Sequence, residues 1–384
     1  EPKTTLQQTK HKFTKINTME NIALLLSGGV FGFVLDKAKT NVPLVISDQM
    51  RMSNFTMMRM FLAAAATSSA VVLALDIMGL KERKPKAVTA LGFGKMGGFG
   101  ANVLGGVLLG MGMFFTGSCP GTIWAQLPVE LAYTGYVVCG GILGTILYGY
   151  ADKIMHDSVP QYHSKKTLEK SDITPDRMSY RMAAGMFISI CSLAIYLLNL
   201  AFPWQDQVSQ VVVSRFQYDS ANPLDPTATV WDPAVAGLLL GLLQIPVQLS
   251  SAGSLGQSSG WVLVSSYIAG IFDRNLDKNA PYLKDAQAGI VGFKQLLLSV
   301  GILGGAVLSQ NLGGYPTLST VAHDGSGNEF YAFFGGVLLL FGARLGCGCT
   351  SGHGLSGLGA LSLGSLVSVV GIFAGGMGAA LLFP

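Results

Sequence analysis

Residues 105–122 read G-G-V-L-L-G-M-G-M-F-F-T-G-S-C-P-G-T, and residues 335–354 read G-G-V-L-L-L-F-G-A-R-L-G-C-G-C-T-S-G-H-G. Aligned, they pair Gly105 with Gly335, Gly112 with Gly342 and Cys119 with Cys349 at one constant offset. Each is an apolar segment spaced by glycines and ending in a glycine-flanked thiol. Such a duplication predicts two similar halves, each bringing one thiol to the end of a membrane helix. One chemical station per half is the pattern of a transporter more than of an enzyme.

Composition agrees with a membrane setting. Of 384 residues, 50% are hydrophobic and only 12% are charged, where a soluble domain carries about 25% charged residues. Glycine supplies 50 residues, well above its usual share of roughly 7%, and shows no three-residue collagen period. Small residues let helices approach closely in lipid, where packing replaces the hydrophobic effect as the driving force. The expected partner is the lipid bilayer. With a net charge of +4, no nucleic-acid partner is expected.

Apolar runs predict spans at about 20–36, 55–78, 97–116, 129–150, 180–202, 233–250, 288–310, 330–346 and 360–382. Several fall short of the roughly 20 residues a full crossing needs, and they end at Gly or Pro. Interrupted segments at matching places in two halves point to a binding site near the midplane. Counting these as nine crossings collects Lys3, Lys10, Lys12, Lys15, Lys81, Arg83, Lys84, Lys86, Lys95, Lys153, Lys165, Lys166, Lys170, Arg177, Arg274, Lys278 and Lys284 on one face. The other face receives mainly Lys37, Lys39, Arg51 and Arg215. The positive-inside bias places the N-terminus in the cytoplasm and the C-terminus outside. Residues 254–272 read either as a tenth crossing or as a re-entrant hairpin. The hairpin is favoured because it keeps Arg274, Lys278 and Lys284 inside.

The resulting organisation is a cytoplasmic N-terminal segment (1–19), a first membrane repeat (20–150), a basic cytoplasmic linker (151–179), a connector helix (180–202), an exterior loop (203–232) and a second membrane repeat (233–384). A single connector makes the second repeat enter from the opposite face, so the repeats are inverted. The Cys119 turn then opens from the exterior and the Cys349 turn from the cytoplasm. The expected fold is an all-α integral membrane protein of about nine transmembrane helices in two inverted repeats with re-entrant loops. Residues 1–19 lack the apolar core of a signal peptide. The chain begins at Glu1 rather than Met, which suggests that upstream sequence is missing. A plasma or bacterial inner membrane is the default location.

Five cysteines fall at 119, 139, 191, 347 and 349. Cys139 and Cys191 lie in apolar runs and read as small core residues. Cys347 and Cys349 form C-x-C, which lacks the four-ligand spacing of a structural zinc site; no metal and no cofactor are expected. Pro120 suits a first helical position, where its missing N–H would be unpaired anyway. Gly117, Gly121 and Thr122 surround Cys119. Thr350, Ser351, Gly352 and His353 follow Cys349. Backbone N–H groups and hydroxyls in such turns make an anion site without a full positive charge. A neutral S–H, itself a weak donor, suits a doubly charged soft anion better than a thiolate would. Arg344 reads as an anion attractor, with a snorkelling surface residue as the alternative. His353 reads equally as an anion donor or as a structural bond. Glu130 reads as a charge partner at a helix start, Lys294 and Arg59 as snorkelling anchors. No conspicuous buried acidic pair marks a coupling-ion site.

At these two turns the sequence resembles the YeeE/YedE-type sulfur-transport membrane proteins. A-R-L-G-C-G-C-T-S-G-H-G-L-S-G, from Ala343 to Gly357, carries most of the likeness, and G-S-C-P-G-T matches less richly. The resemblance covers roughly 20–150 and 233–382. It implies an hourglass of helices with loops dipping in from both faces, and thiosulfate passing between Cys119 and Cys349 by S–H to sulfur contacts. The family's further cysteine after the first span has no counterpart in Gly32–Val42, where Thr40 and Asn41 offer hydrogen bonds instead and Cys347 is an additional thiol. A relative of thiosulfate therefore stands beside thiosulfate as the substrate, and a cytoplasmic sulfur-handling protein is a candidate partner. Two alternatives are open. Met50, Met52, Met57, Met58, Met60, Met111 and Met113 suit a copper(I) transporter. A membrane sulfurtransferase or thiol oxidoreductase would use Cys347 and Cys349, although no catalytic base or nucleotide loop accompanies them.

Overall fold

Apolar runs bounded by Gly, Pro and polar turns become helices. The computed structural model describes residues 18–85, 99–158, 177–212, 222–313 and 329–383. In chain order α1 is Thr18–Lys37, α2 Pro43–Met50, α3 Thr56–Ile77, α4 Gly100–Thr116, α5 Thr122–Gln126, α6 Leu131–Ser158, α7 Arg177–Ala201 and α8 Trp204–Ser209. They are followed by α9 Pro233–Leu242, α10 Gln244–Leu249, α11 Ser258–Phe272, α12 Leu276–Asn279, α13 Pro281–Ala288, α14 Ile290–Gly313, α15 Glu329–Leu345, a π-helix over Gly352–Gly357, and α16 Leu363–Leu382. All nine predicted apolar runs fall on helices. Six described helices, within α1, α3, α6, α7, α14 and α16, are long and apolar enough to cross a bilayer, and shorter apolar helices accompany them. The protein is an all-α integral membrane protein.

Glycines set how these helices meet. Along α1 and α14, Leu25 and Gly29 face Gly301 and Gly305, while Gly28 and Gly32 face Leu298 and Ile302, so the pair runs parallel. In the same way α9 lies parallel on α3, with Gly237 against Met60 and Gly241 against Ala64 and Thr67. Likewise α4 packs parallel on α16 through Gly106 and Gly110, and α6 parallel on α15 through Gly140 and Gly144. By contrast α4 and α15 cross antiparallel: Gly105 meets Gly342 and Gly346, and Gly112 meets Gly335 and Leu339. A side chain at these sites would collide with backbone, which is why the apolar runs carry so much glycine.

The segment over 254–272 is irregular up to Gln257, whose backbone is already in the right-handed helical region, and then helical in α11, which packs antiparallel on α14. Its 15 residues rise about 22 Å at 1.5 Å each, short of the roughly 30 Å hydrocarbon core. The helix α6 continues to Ser158 and α7 begins at Arg177, so both ends of the predicted 151–179 linker are helical. Residues 159–176, most of the N-terminal segment, part of the exterior loop, and the cations Lys3, Lys10, Lys12, Lys15, Lys86, Lys95, Lys165, Lys166, Lys170 and Arg215 lie outside the described residues.

Several expectations need correction. Cys139 is exposed, because α6 turns its neighbours Gly140 and Gly144 toward α15. Lys294 does not snorkel: it is buried and pairs with Glu20 at 3.1 Å and Asn21 at 2.6 Å. Arg59 is also buried, bonded to Asn199, to Gln207 and to the Leu198 and Phe202 carbonyls. Lys37 and Lys39 are buried rather than exterior surface charges. Lys39 lies 3.4 Å from the Asp36 carboxylate, which also accepts from Ser309 and Asn41. A buried acid–base pair therefore exists at the end of α1, where neighbouring residues in the sequence gave no sign that tertiary packing would enclose it.

Candidate functional site

Gly117 ends α4 in the left-handed conformation (φ 55°), the usual role of glycine just past a helix. The chain then turns sharply. Ser118 donates to Gln126 at 2.5 Å, and the Gln126 amide returns a bond to the Gly117 carbonyl at 2.8 Å. The Cys119 N–H donates to Thr122 Oγ1 at 2.7 Å, and the Thr122 N–H donates to Cys119 Sγ at 3.3 Å. Ile123 N–H reaches the Cys119 carbonyl, and Pro120 lies in the turn just ahead of α5, whose first helical position is Thr122 instead. The Trp261 indole donates to the Pro120 carbonyl at 2.9 Å and stacks on Trp124 at 4.5 Å between ring centroids.

The second turn leaves α15 at Leu345 and brings Cys349 into the interior with no exposed surface. Its sulfur accepts the Gln257 N–H at 3.2 Å. Ser351 Oγ lies 3.3 Å from that sulfur and donates to the Leu255 carbonyl at 3.1 Å. A hydroxyl has one hydrogen to give. With it committed to Leu255, the Ser351 oxygen is an acceptor for the Cys349 S–H. His353 Nε2 faces the Gly346 carbonyl at 3.0 Å and must donate to it, while Nδ1 meets Ser365 at 3.1 Å. The structural alternative for His353 is the one seen. A short helical segment follows each thiol: α5 from Thr122 after Cys119, and the π-helix over Gly352–Gly357 after Cys349.

Two spaces meet at these turns. A vestibule of about 420 Å³ is lined by Lys81, Arg83, Lys84, Arg344 and Cys347, and reaches Gly256 and Gly352 beside Cys349. Arg344 lines it while donating to the Tyr282 hydroxyl at 2.6 Å and Ser258 at 2.9 Å. Exposed Cys347 (φ 58°) sits at its wall, away from the other space. That other space is a void of about 40 Å³ bordered by Cys119, Gly121 and Thr122 on one side and by Thr350, Ser351 and Leu355 on the other. Met57, Met60, Phe61 and Leu35 are among the apolar side chains that also line it, and no polar surface is exposed within it. The Thr350 hydroxyl is buried without a partner among the described residues.

Residues from both predicted turns thus converge on one void, although His353 points elsewhere. The sequence reading missed Gln257 and Leu255, which tie the chain before α11 to Cys349 and Ser351 respectively. Their only signal was the glycine- and serine-rich run Ser254–Gly260 within the predicted re-entrant segment. Thr40 bonds to the Leu35 carbonyl and Met60 sulfur, and Asn41 to Asp36, so both stand behind the void wall. Among the described residues no cluster of His, Cys, Asp and Glu is arranged to hold a metal.

A glycine-packed helical membrane protein with two thiol turns meeting at a narrow interior void has the build of a solute transporter. Residues 37–378 match the sulphur transport family, and the chain belongs to this family of YeeE/YedE-type membrane proteins. Its role is accordingly sulfur transport. A search among curated proteins finds no match.

Proposed function

We propose that this protein takes up thiosulfate, or a closely related small sulfur-containing anion, by passing it from the Cys119 turn to the Cys349 turn. The observation that carries this reading is the shared void, bordered by Cys119 on one side and Thr350 and Ser351 on the other. Its apolar, sulfur-lined wall suits the soft terminal sulfur of such an anion. Donors at its edges, including the unpartnered Thr350 hydroxyl, suit the oxygens. Neutral donors hold a dianion weakly enough for it to leave, as permeation requires. At about 40 Å³ the void has room for only a few waters, so passage needs the turns to part.

The cationic vestibule is the cytoplasmic exit in this reading, in keeping with the positive-inside bias. It is the place where a cytoplasmic sulfur-handling protein would collect the anion. The two halves are inverted repeats: equivalent helices α4 and α15 crossing antiparallel on matched glycines is what a two-fold axis perpendicular to them produces. The parallel packing of α1 and α14 favours a re-entrant 254–272, because one more crossing between them would make them antiparallel. The experiment is uptake of radiosulfur-labelled thiosulfate by cells lacking their own transporter, with Cys119→Ala and Cys349→Ala variants. Loss in both supports the reading, and wild-type rates in both well-expressed variants remove it.

A second reading has one observation in its favour. Met57, Met60 and Cys119 border the same void, a soft ligand set suited to copper(I). Near-stoichiometric copper in protein purified without chelator supports it, and absence of copper removes it.

A further inference from the structure

Cys119 borders the void, Cys349 is buried behind the vestibule-lining Gly256 and Gly352, and one residue stands between the two thiols. Gln257 has no exposed surface. On one side its backbone N–H holds Cys349 Sγ at 3.2 Å. On the other, a Cβ built on Gly121 would lie 3.3 Å from Gln257 Cγ and 3.9 Å from Cys119 Sγ. Gly121 borders the void, while the neighbours of Gln257, Gly256 and Ser258, border the vestibule. Gln257 is therefore part of the partition that an anion must pass.

Its side chain is held by bonds that can be exchanged. Oε1 accepts from the Ser299 hydroxyl at 2.6 Å, and Nε2 donates to the Leu255 carbonyl within the same loop at 3.0 Å. The second N–H of that amide makes no further bond among the described residues. A buried amide with a spare donor, lying between two thiols, is more than a space filler, since an unused buried donor costs stability.

We infer that Gln257 is the hand-over residue: its side-chain amide turns from Leu255 to donate to the oxygens of the anion as the soft atom moves from one thiol to the other. The inference rests on the transport reading above and adds the residue and donor chemistry of the step between the turns. An amide suits that position physically. A lysine or arginine there would trap a dianion in a low-dielectric interior. A carboxylate would repel it, and an apolar side chain would leave its oxygens unpaired. The ligand class is a small dianion with oxygens for the amide and one polarisable atom for the thiols.

The test is thiosulfate uptake into liposomes carrying equal amounts of monodisperse wild type, Gln257→Glu, Gln257→Met or Ser299→Ala. Gln257→Glu still accepts from Ser299 but has no N–H to donate and adds a repelling charge, whereas Gln257→Met removes the donor without adding charge, so the two are read together. We expect kcat to fall about tenfold or more in both Gln257 variants, the equivalent of one lost donor, with KM changed far less. Ser299→Ala should stay near the wild-type rate, since it frees the amide without removing its donors. Wild-type kcat in Gln257→Glu overturns this inference alone, as does a Ser299→Ala variant as slow as Gln257→Met, which would make the amide a structural clamp. A wild type that moves no sulfur anion overturns the transport reading and this inference with it.

Discussion

Gly105 and Gly342 face each other at the crossing of α4 and α15. A Cβ added to Gly105 would lie 2.8 Å from the Gly342 carbonyl oxygen, and one added to Gly342 would lie 2.7 Å from the Gly105 carbonyl oxygen. The contact is reciprocal, and it joins the two helices that end in the thiol turns. Cys119 from the first turn and Ser351 from the second border the same void.

Gly105→Ala should therefore destabilise the protein by about 2 kcal/mol, the usual cost of overpacking a close contact. Gly304, on the open face of α14, has nothing near its would-be Cβ, and Gly304→Ala should be neutral or slightly stabilising. Thermal unfolding in detergent compares the two. Equal melting temperatures would show that the crossing is looser than described.

Asp36 and Lys39 are buried together. Removing one partner of a buried pair strands the other charge, at roughly 3 kcal/mol or more. Asp36→Asn should lower stability by that order, and adding Lys39→Met should restore much of it. A double variant as unstable as the single one would show that the pair is not the relevant unit.

Cys347 is exposed at the vestibule wall, whereas Cys349 has no exposed surface. A membrane-impermeant thiol reagent should label Cys347 from the cytoplasmic side, in inverted vesicles, and leave Cys349 intact. Labelling of Cys347 in whole cells, from outside, would reverse the proposed orientation.

Much of this architecture is legible in the sequence, for physical reasons. Apolar runs ending at Gly or Pro become helices, and the repeated G-G-V-L-L segments mark the two helices that cross. The thiol turns are legible because their flanking Gly and Pro disfavour continuation of the apolar helix. Lys294, Arg59, Asp36 and Lys39 were misplaced or missed because their environment comes from residues distant in sequence: Glu20, Gln207 and Ser309. Cys139 misled because composition does not say which face of a glycine-rich helix turns inward. Gln257 sits at the end of an irregular stretch with no periodicity, and its partners Ser299, Cys349 and Gly121 come from three other segments.

The central claim is that one anion passes from Cys119 to Cys349. Its most direct test is the initial rate of labelled thiosulfate uptake into transporter-deficient cells expressing wild type, Cys119→Ala or Cys349→Ala at matched membrane levels. The account predicts clear wild-type uptake and a loss of about tenfold or more in each variant, the scale of removing one donor contact from the path. Wild-type rates in both variants would contradict it.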